Sequence, residues 1–559
     1  MLTWPSTPLR SLHCAARKSA TNAAPAPITV CEFYEHFLRC MPPPGWPARI
    51  VIANSGGPDS VCLLHLLSSV LRQRSSVGER LAFPSEVFSV HVNHNLQAAN
   101  AAMLEVARDT AHKLGVKHRT ETIPWGHEPF PARPEAGQPI EEVARSARST
   151  RLFMAMQALD AQCIAYAHHA DDQVETSIMR LIKGSQMWGA AGMLPVRRWG
   201  MGSPQDIVPA GAAGMFNWVI RPLLNVPKDR ILATCEANDL EYAIDLTNFQ
   251  PDITLRNSVR AYLQERENQL ASGAVNYFHD AIVTPSWLNE EDAQSYEKAI
   301  QGLQELVPGT GILSDLREAA RQAGKEVERI DVQASNAMSQ CVLPSPPSTV
   351  ILAQEALSQV TDNDVQHAIV RRILRYVSPK PWGSVAAVAH GKTSNIQKIV
   401  DNLWAKPTHE TAPLTLGGDV LWTPAVLGRD GQLRLRAPLH ADEPALWVAQ
   451  RAPPTRALEP TLTVDLTEQL RTFSGPRMLY LYDNRFWLRF DKEWAGEGLS
   501  LEEVLHRGRV EIRPDTQFYL PQVVWVREGK EDIFLGRYAP AWRGVPWIQT
   551  CGIRVLTVL

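Results

Sequence analysis

The chain has 559 residues, which is too long for one hydrophobic core, so we expect about three or four domains. Its composition, with 45% hydrophobic and 21% charged residues, is typical of a globular protein, and no apolar run reaches the ~18 residues of a membrane-spanning helix, so no membrane association is expected. The net charge of −3 excludes a uniformly basic nucleic-acid-binding protein, and a nucleic-acid partner would need local basic patches.

The N-terminus is poor in acidic residues. No Asp or Glu precedes Glu32, whereas Arg10, Arg17 and Lys18 lie among Ser, Thr and Ala residues. Acid-poor leaders of this kind are typical of organelle transit peptides, and the apolar segment of a secretory signal is missing. Residues 1–31 are therefore predicted to be a transit peptide, which favours a mitochondrial location, or else a disordered leader on a cytoplasmic protein.

The eight cysteines are scattered along the chain, and no Cys-x-x-Cys pair occurs. This spacing argues against a zinc ribbon, an iron–sulfur site or a disulfide framework. A reducing compartment fits the pattern best.

Residues 48–270 alternate short apolar segments with helical patterns. Strands that alternate with helices predict βαβ units and a parallel sheet, so the predicted fold class is α/β. The segment Arg197–Phe216, rich in Gly, Pro and Ala, indicates a surface insertion. The predicted strands are Arg49–Ala53, Val87–Val92, Lys117–Ile123, Cys163–Ala167 and Val219–Ile220, and two of the predicted helices are Ser60–Arg74 and Ala101–Leu114.

Beyond about residue 275 the pattern changes. Residues 288–335 and 353–376 predict helices with charged faces, and the Pro- and Ser-rich stretch Val342–Val350 predicts a linker between them. After about residue 410, short apolar segments predict strands. We therefore expect a mainly helical region at 280–400 and a small β-rich C-terminal region at 410–559.

A glycine-rich loop joins the first predicted strand to the first predicted helix. A helix N-terminus presents unpaired N–H groups and a partial positive charge, which suit a phosphate group. Gly56 and Gly57 allow the backbone to approach an anion closely, Ser55 and Ser60 can donate hydroxyl groups, and Pro58 is compatible with a first helical turn. The loop Ser-Gly-Gly-Pro-Asp-Ser therefore predicts a phosphate site.

Two common phosphate-binding patterns are absent from this loop. A Walker A loop needs Gly-Lys-Ser/Thr, and a dinucleotide-binding turn needs Gly-x-Gly-x-x-Gly. Asp59 would repel a phosphate group unless a cation bridges the two, so we expect Mg²⁺ at Asp59. The alternative is that Asp59 and Ser60 only cap the helix.

The loop SGGPDS resembles the PP-loop of the N-type ATP pyrophosphatases, which split ATP into AMP and pyrophosphate while adenylating a substrate oxygen. That superfamily includes GMP synthetase, NAD synthetase, asparagine synthetase, tRNA thiolases and tRNA(Ile)-lysidine synthetases. The loop does not distinguish among them, but four further stretches resemble the lysidine synthetases in the same order. The resemblance implies that ATP is bound at Ser55, Gly56, Gly57, Pro58, Asp59 and Ser60.

The first stretch is HVNHNL, His91–Leu96, at the end of the second predicted strand. Positions 91 and 94 of a strand point to opposite faces, which argues against a shared metal ion. In the lysidine synthetases this stretch lies beside the nucleotide, which implies that His91 contacts ATP. Asn95 stands where the family usually has Gly, and the alternative is that the histidines are structural.

The second stretch is IEEVARSARSTRL, Ile140–Leu152. Glu141, Arg145 and Arg148 are spaced i, i+4 and i+7, so they share one helix face. The resemblance places Arg145 and Arg148 near the nucleotide, although Ser149 replaces the family's Tyr. A solvated charged face is the alternative.

The third stretch, AHHADDQVET, spans Ala167–Thr176 and leads from a predicted strand into a helix. Open α/β sheets bind ligands at the carboxyl edge of their strands, where these polar groups lie. Asp172 and Glu175 can share a cation or an amine, and His169 can contact phosphate or move a proton. The alternative is capping of the helix N-terminus.

The fourth stretch contains Arg-Pro-Leu-Leu, an Asp-x-Thr-Asn turn and Arg-Asn-x-x-Arg, all between residues 220 and 260. Arg256 and Arg260 are spaced i, i+4, so both can face a phosphate chain. The resemblance assigns Arg256, Asn257 and Arg260 to substrate binding. Altogether it covers about residues 48–265.

These stretches imply a tRNA(Ile)-lysidine synthetase. Such an enzyme adenylates the 2-carbonyl oxygen of the wobble cytidine in an isoleucine tRNA with a CAU anticodon, and the ε-amine of free L-lysine then displaces AMP. The expected catalytic residues are Asp59, His169, Asp172 and Glu175, whose acids would hold the lysine ammonium. The expected partner of the regions beyond about residue 280 is tRNA, and the sequence is compatible with a homodimer.

Two basic clusters in the later regions bear on tRNA binding. The first comprises Arg371, Arg372 and Arg375. The second alternates with aromatic residues at 485–489, a pattern that suits backbone contact and base stacking. A solvated strand face is the alternative for the second cluster.

Two other functions fit part of the pattern. A tRNA thiolase of the same superfamily would deliver sulfur, but thiolases usually carry paired catalytic or cluster cysteines, which this sequence lacks. An inactive tRNA-binding protein that keeps the fold would account for Asn95 and Ser149. The intact acids Asp59, Asp172 and Glu175 argue against it.

Overall fold

A computed structural model of the protein describes residues 24–75, 83–96, 100–134, 140–185, 187–199, 211–245, 250–251, 254–271, 284–307, 312–382, 384, 386–388, 393–428, 430–440, 443–494, 496–538, 541–550, 554 and 556. Within these ranges, no helix is both long and apolar enough to cross a membrane. Most of the predicted leader lies outside the described residues, as do Thr247 and Asn248 of the predicted turn.

A six-stranded sheet with the order β3-β2-β1-β4-β6-β5 organises the first half of the chain. The strands from β3 to β6 in that order are parallel, and the edge strand β5 is antiparallel to β6. The α/β class is confirmed, and the five predicted strands are present with small shifts at their ends. The strands are β1 (Arg49–Ala53), β2 (Glu86–Asn93), β3 (Lys117–Thr122), β4 (Cys163–Ala165), β5 (Val196–Arg198) and β6 (Trp218–Ile220).

Helices cover both faces of this sheet. Residues of β1 alternate between two cores, with Ile50 and Ile52 on the side of α2 and Val51 on the side of α4. Burial on both faces explains why β1 is an uninterrupted apolar run in the sequence. The helices are α1 (Val30–Leu38), α2 (Pro58–Ser75), α3 (Asn100–Lys113), α4 (Ile140–Ala158), α5 (Ala170–Ile182), α6 (Met187–Ala190), α7 (Lys228–Ala237) and α8 (Leu255–Ala271).

The predicted surface insertion Arg197–Phe216 is partly built into the sheet. Its first residues belong to β5, and its last residues form a short 3₁₀ helix at Gly211–Phe216. Trp199 is buried and packs against Phe153, with 5.4 Å between the ring centroids. Trp199 at the start of the segment therefore packs against the sheet domain, whereas Met215 near its end is buried in a core of the second half of the chain. Residues 200–210 lie outside the described residues.

Three antiparallel sheets and several helices form the described part of the second half of the chain. Helices and strands were both predicted there. The sheet orders are β11-β10-β12-β8-β7 with β9 on β10, then β13-β16-β17-β18-β19, and β14-β15-β20. The helices are α9 (Glu290–Gln304), α10 (Leu313–Cys341), α11 (Gln354–Ser358), α12 (Asn363–Val377), α13 (Thr393–Trp404), α14 (Thr467–Thr472) and α15 (Leu501–Arg507). The strands are β7 (Val342–Leu343), β8 (Val350–Ala353), β9 (Leu414–Thr415), β10 (Val420–Leu427), β11 (Leu433–Arg434), β12 (Ala445–Arg451), β13 (Val464–Asp465), β14 (Arg477–Tyr482), β15 (Phe486–Asp491), β16 (Arg509–Asp515), β17 (Leu520–Val526), β18 (Ile533–Tyr538), β19 (Trp542–Gly544) and β20 (Ile548–Thr550).

The predicted linker Val342–Val350 is instead a β-hairpin. Strands β7 and β8 pair with each other, and β8 pairs with β12. Val350 and Leu352 are buried in one core with Trp422, Trp447 and residues of α12 and α13. The Pro and Ser residues occupy the turn of the hairpin, and the predicted boundary between the helical and β-rich regions crosses a single core.

One arginine of each basic cluster is buried and paired within the fold. Arg372 is buried and pairs with Asp331 at 2.5 Å, and it also donates to the Ser335 hydroxyl at 2.9 Å. Arg485 has no exposed surface and donates to Asp483 at 2.7 Å. For these two arginines, neither the predicted tRNA contact nor a solvated strand face agrees with the structure.

The end of the predicted leader packs against the sheet domain. Ile28 is buried, and its N–H donates to the Thr234 hydroxyl on α7 at 2.8 Å. Thr29 caps α1, and Glu32 accepts two hydrogen bonds from Arg230, at 2.6 and 2.8 Å. The polypeptide from residue 28 onward therefore belongs to the folded domain.

We predict that Glu32→Gln lowers the free energy of unfolding by about 1 kcal/mol near neutral pH, because the bidentate pair with Arg230 loses its charge. Hydrogen bonds from His36 and Arg230 lower the pKa of Glu32 from 4.5 to about 2. The pKa in the folded state is below that in the unfolded state, so the stabilisation is present above the unfolded value and lost as the pH falls through the folded one.

Urea unfolding of the wild type and the variant across this pH range measures the difference. Glu35→Gln is the matched control, because Glu35 is exposed on the same helix. A difference between wild type and Glu32→Gln that stays constant as the pH falls would contradict the prediction.

Candidate active site

The loops after β1 and β4 open side by side at one edge of the sheet. The two strands are adjacent and parallel, with Ile50 opposite Cys163 and Ile52 opposite Ala165. The carboxyl ends of parallel neighbours meet at the same edge, which is where open α/β sheets bind ligands. The SGGPDS loop and the HHADD stretch therefore face each other across this edge.

Asn54, which the sequence analysis did not single out, is the centre of the SGGPDS loop. Its side-chain oxygen accepts from the Gly56 N–H and from the Ser60 hydroxyl, both at 3.0 Å. Its side-chain nitrogen donates to the Ser89 hydroxyl at 3.0 Å and to the Ala107 carbonyl at 3.3 Å. The amide is buried and uses all four of its hydrogen-bonding positions, so it fixes the loop to β2 and α3.

The two glycines of the loop have different roles. Gly56 has a φ of +81°, and a Cβ at this position would overlap the carbonyl oxygen of Met103 in α3, so the tight turn requires glycine. A Cβ at Gly57 would approach only the Ser55 hydroxyl at 3.4 Å and the Ala243 carbonyl oxygen at 3.9 Å. Gly57 therefore leaves open space at the first turn of α2, where an anion can approach the backbone.

The two serine hydroxyls brace the loop. The Ser60 hydroxyl accepts from the Ser55 N–H at 3.1 Å and lies 3.2 Å from the Ser55 hydroxyl. Ser60 is buried, whereas Ser55 is half-buried and also accepts from the Gly57 N–H at 3.3 Å. The predicted hydroxyl donors are therefore together at the loop, but Ser60 is engaged in shaping it.

The structure brings Asp59, His169 and Asp172 together. His169 Nε2 lies 3.8 Å from Asp59 Oδ1 and 3.6 Å from Asp172 Oδ2. His169 and Asp172 also form a capping box at the start of α5, with the His169 N–H donating to Asp172 Oδ2 at 3.1 Å. The capping alternative is thus correct for this pair, and the same geometry aims the histidine at the SGGPDS loop.

Asp59 also has a cationic partner that the sequence analysis missed. Lys228, the first residue of α7, donates from Nζ to Asp59 Oδ1 at 2.5 Å. Lys228 lies in the stretch that follows Arg-Pro-Leu-Leu. Its position after Pro227 indicates a helix start, which is the one feature of the sequence that could have drawn attention to it. Because α7 is distant from α2 in sequence, only the fold shows the contact.

The two predicted arginines bind the two predicted acids of α5. Arg256 Nη1 donates to Asp172 Oδ1 and to Glu175 Oε2, both at 3.3 Å. Arg260 Nε donates to Glu175 Oε1 at 2.6 Å, and its Nη2 donates to Oε2 at 3.1 Å. In this arrangement the acids and the guanidinium groups neutralise one another, so neither pair is free for a ligand without an exchange of partners.

The two acids of this cluster differ in how readily they take up a proton. Burial and the neighbouring charge of Asp172 raise the pKa of Glu175 above its ordinary value, and they outweigh Arg260. Burial would also raise the pKa of Asp172, but the adjacent histidines and Arg256 hold it well below its usual range. Glu175 is therefore the acid that can accept a proton first.

The remaining predicted residues lie at different distances from this centre. His91 is buried, its Nδ1 donates to the Asn54 carbonyl at 3.0 Å, and burial lowers its pKa, so it supports the loop. Asn257 is buried, and its amide donates to the Gln250 carbonyl at 3.0 Å, away from the acids. Arg148 acts electrostatically on His91, whereas Arg145 is exposed and no contact among the described residues connects it to the loop.

Residues 33–267 match the family model described as a PP-loop domain. The sheet and the loop at its carboxyl edge agree with a PP-loop domain over these residues. The relatives reported next are all named tRNA(Ile)-lysidine synthase, which is the family that the sequence motifs resemble.

Three curated relatives illustrate the similarity, each named tRNA(Ile)-lysidine synthase. The protein of Symbiobacterium thermophilum is 33% identical over 251 residues, which are 44% of this chain and 44% of that protein. The protein of a Bradyrhizobium species is 35% identical over 38% of this chain and 51% of the relative. The protein of Bacillus subtilis is 31% identical over 39% and 41%, so the chain spans about half the length of the curated relatives it matches.

We predict that Asn54→Ala lowers the free energy of unfolding by about 2–4 kcal/mol, because buried partners of four hydrogen bonds lose their contact. The Gly56 N–H would lose the acceptor that holds the turn, so ATP affinity is expected to fall as well. Thermal unfolding and the binding of a fluorescent ATP analogue measure the two effects. Ser89→Ala removes only one of the four contacts, so an equal loss in both variants would contradict the central role of Asn54.

Proposed function

We propose that this protein is a tRNA(Ile)-lysidine synthetase, which adenylates the wobble cytidine of an isoleucine tRNA with a CAU anticodon and then joins free L-lysine to it. The observation that carries the proposal is the meeting of Asp59 with His169 and Asp172 at the carboxyl edge of the sheet. The names of the curated relatives support it.

ATP is the substrate that fits the SGGPDS loop. The open space at Gly57 and the first turn of α2 suit its phosphates, while Asn54 holds the loop in shape. The nucleophile is the cytidine 2-carbonyl oxygen. Its bond to the α-phosphorus forms as the bond to the bridging oxygen breaks, and the electron pair leaves with pyrophosphate.

The residues present fit a Mg²⁺ ion that accompanies ATP. Asp59 offers a partly exposed carboxylate beside the phosphate site, and the described residues contain no group of three or more metal-ligating side chains. One carboxylate with phosphate oxygens and water is a usual ligand set for Mg²⁺. When bound, the ion would supply positive charge to the phosphates.

The acids of α5 suit the lysine ammonium. Asp172 and Glu175 now accept from Arg256 and Arg260. We propose that the ammonium replaces a guanidinium contact and that the released arginine faces the negatively charged tRNA or nucleotide. The amine must lose a proton before it attacks the activated carbon, and the raised pKa of Glu175 suits that transfer. His169 lies instead beside the loop where ATP is proposed to bind.

Three further predictions concern tRNA binding, the oligomeric state and the location of the protein. The regions beyond about residue 280 are proposed to bind tRNA, and a homodimer stays a prediction. Mitochondrial import also stays a prediction. Residues 1–23 are outside the described residues, and the bacterial relatives give import no support.

One structural observation bears on the thiolase alternative. Cys62 on α2 and Cys235 on α7 lie in contact behind the SGGPDS loop, and a hydrogen bond from Cys235 together with burial raises the pKa of the Cys62 thiol. Both cysteines have no exposed surface, so neither can reach a sulfur donor or a tRNA base. The pair therefore does not supply the exposed thiol chemistry that a thiolase needs.

The first experiment is incorporation of radiolabelled lysine into a CAU-anticodon isoleucine tRNA transcript with ATP and Mg²⁺. The protein should begin at residue 24, because Ile28 and Thr29 are part of the fold. We expect labelled tRNA and released AMP from the wild type and from Asp109→Asn, whose side chain is exposed on α3. Asp59→Asn should lose the activity by at least about a hundredfold.

The failures of this assay have distinct meanings. Pyrophosphate release without lysine incorporation would mean that adenylation is right and that the nucleophile or the tRNA is wrong. If folded protein yields neither product, the inactive tRNA-binding alternative is favoured.

We predict that Glu175→Gln retains ATP binding and loses lysine transfer by about a hundredfold, because the amide can neither balance an ammonium nor accept its proton. Equilibrium dialysis with ATP and single-turnover lysine transfer separate the two steps. Glu297→Gln is the control, because Glu297 pairs with Arg266 on α8 outside the cluster. Equal loss of ATP binding and lysine transfer would mean that Glu175 has a structural role and no specific role in lysine transfer.

A further inference from the structure

The SGGPDS loop contains no positive side chain, although its predicted ligand is a polyphosphate. A Walker A loop supplies a lysine for this purpose, and this loop does not. The two arginines of α8 are engaged with Asp172 and Glu175. Among the described residues, Lys228 is the lysine or arginine that is bonded directly to the acid of the loop.

The position of Lys228 suits a phosphate ligand. It begins α7 after the N-cap Pro227, and α7 packs beside α2 with Cys235 Sγ 3.5 Å from the Pro58 carbonyl oxygen. An ammonium in contact with Asp59 is beside the first turn of α2, where the phosphates would lie. The Lys228 side chain is 30% exposed, so it is neither sealed in the core nor extended into solvent.

We propose that Lys228 is a catalytic residue that binds the polyphosphate of ATP, and that its ion pair with Asp59 is the resting arrangement of the site. The inference rests on the ATP-dependent part of the proposed function. In the resting site the ammonium occupies the carboxylate oxygen that a divalent cation would use. With nucleotide bound, Lys228 turns to the phosphates and Asp59 becomes available to the metal ion.

Charge balance is the reason for this exchange. An ammonium and a divalent cation repel each other, so they cannot both bind Asp59 Oδ1 closely. The phosphates carry several negative charges, so the ammonium and the divalent cation can each bind different phosphate oxygens. As pyrophosphate leaves, the ammonium stabilises the charge that develops on the leaving group.

The proposal predicts effects of opposite sign in Lys228→Met. Without nucleotide, the variant should bind Mn²⁺ about tenfold more tightly than the wild type, because Asp59 has lost its competing cation. It should bind ATP at least about tenfold more weakly, because the phosphates have lost the ammonium group that binds them. Mn²⁺ electron paramagnetic resonance and equilibrium dialysis with labelled ATP measure these quantities without lysine or tRNA.

Three variants complete the test. Lys228→Arg retains the charge and should keep most of the ATP affinity, and Asp59→Asn should lose the Mn²⁺ site. Lys113→Met is the matched control, because Lys113 forms an exposed pair with Glu241 at 2.9 Å in the same domain. Unfolding temperatures verify that each variant is folded.

The outcomes distinguish this proposal from the proposed function. Tighter Mn²⁺ binding together with weaker ATP binding in Lys228→Met supports it, whereas an unchanged value of either quantity overturns it. If these binding results hold but lysine is never transferred, the proposed function fails and the assignment of Lys228 stands.

Discussion

The parallel pairing of β1 with β4 is the constraint on which the site depends. It places Ile52 opposite Ala165, so the chain leaves both strands at the same edge. Each strand is followed by a polar loop and a helix N-terminus, and the two loops supply Asp59 and His169. The apolar cores on both faces fix this register, because a shifted strand would move its side chains to the wrong face.

At that edge, the polar groups are hydrogen-bonded and the charged groups form ion pairs. Asn54 satisfies its entire amide within the loop and its neighbours, which allows Gly56 to keep a positive φ. Asp59 has Lys228, and the acids of α5 have the arginines of α8. Because these charges are paired before any ligand arrives, binding of a charged substrate is an exchange of partners, and its cost is lower than that of creating new buried charges.

The sequence predicted those features that depend on local pattern. Apolar segments that alternate with helical patterns located the strands, and the SGGPDS and HHADD stretches located the edge of the sheet where the candidate site lies. Contacts between distant segments were not predictable, because Asn54 and Lys228 are ordinary residues until the fold brings partners to them. The hairpin at Val342–Val350 was missed for a related reason, since its short strands are stabilised by Trp422 and Trp447, far along the chain.

Charged groups are also paired inside the second half of the chain. Arg485 and Arg372 belong to basic clusters in the sequence, yet both are enclosed by acids and carbonyl groups of other elements. A buried guanidinium with these partners is costly to expose, so such residues stabilise the junctions between elements. Charge counted along a sequence therefore overstates the positive surface that is open to a negatively charged partner. A binding surface in these regions has to be sought among arginines and lysines whose side chains reach solvent, such as Arg477 and Arg509, which are 63% and 59% exposed.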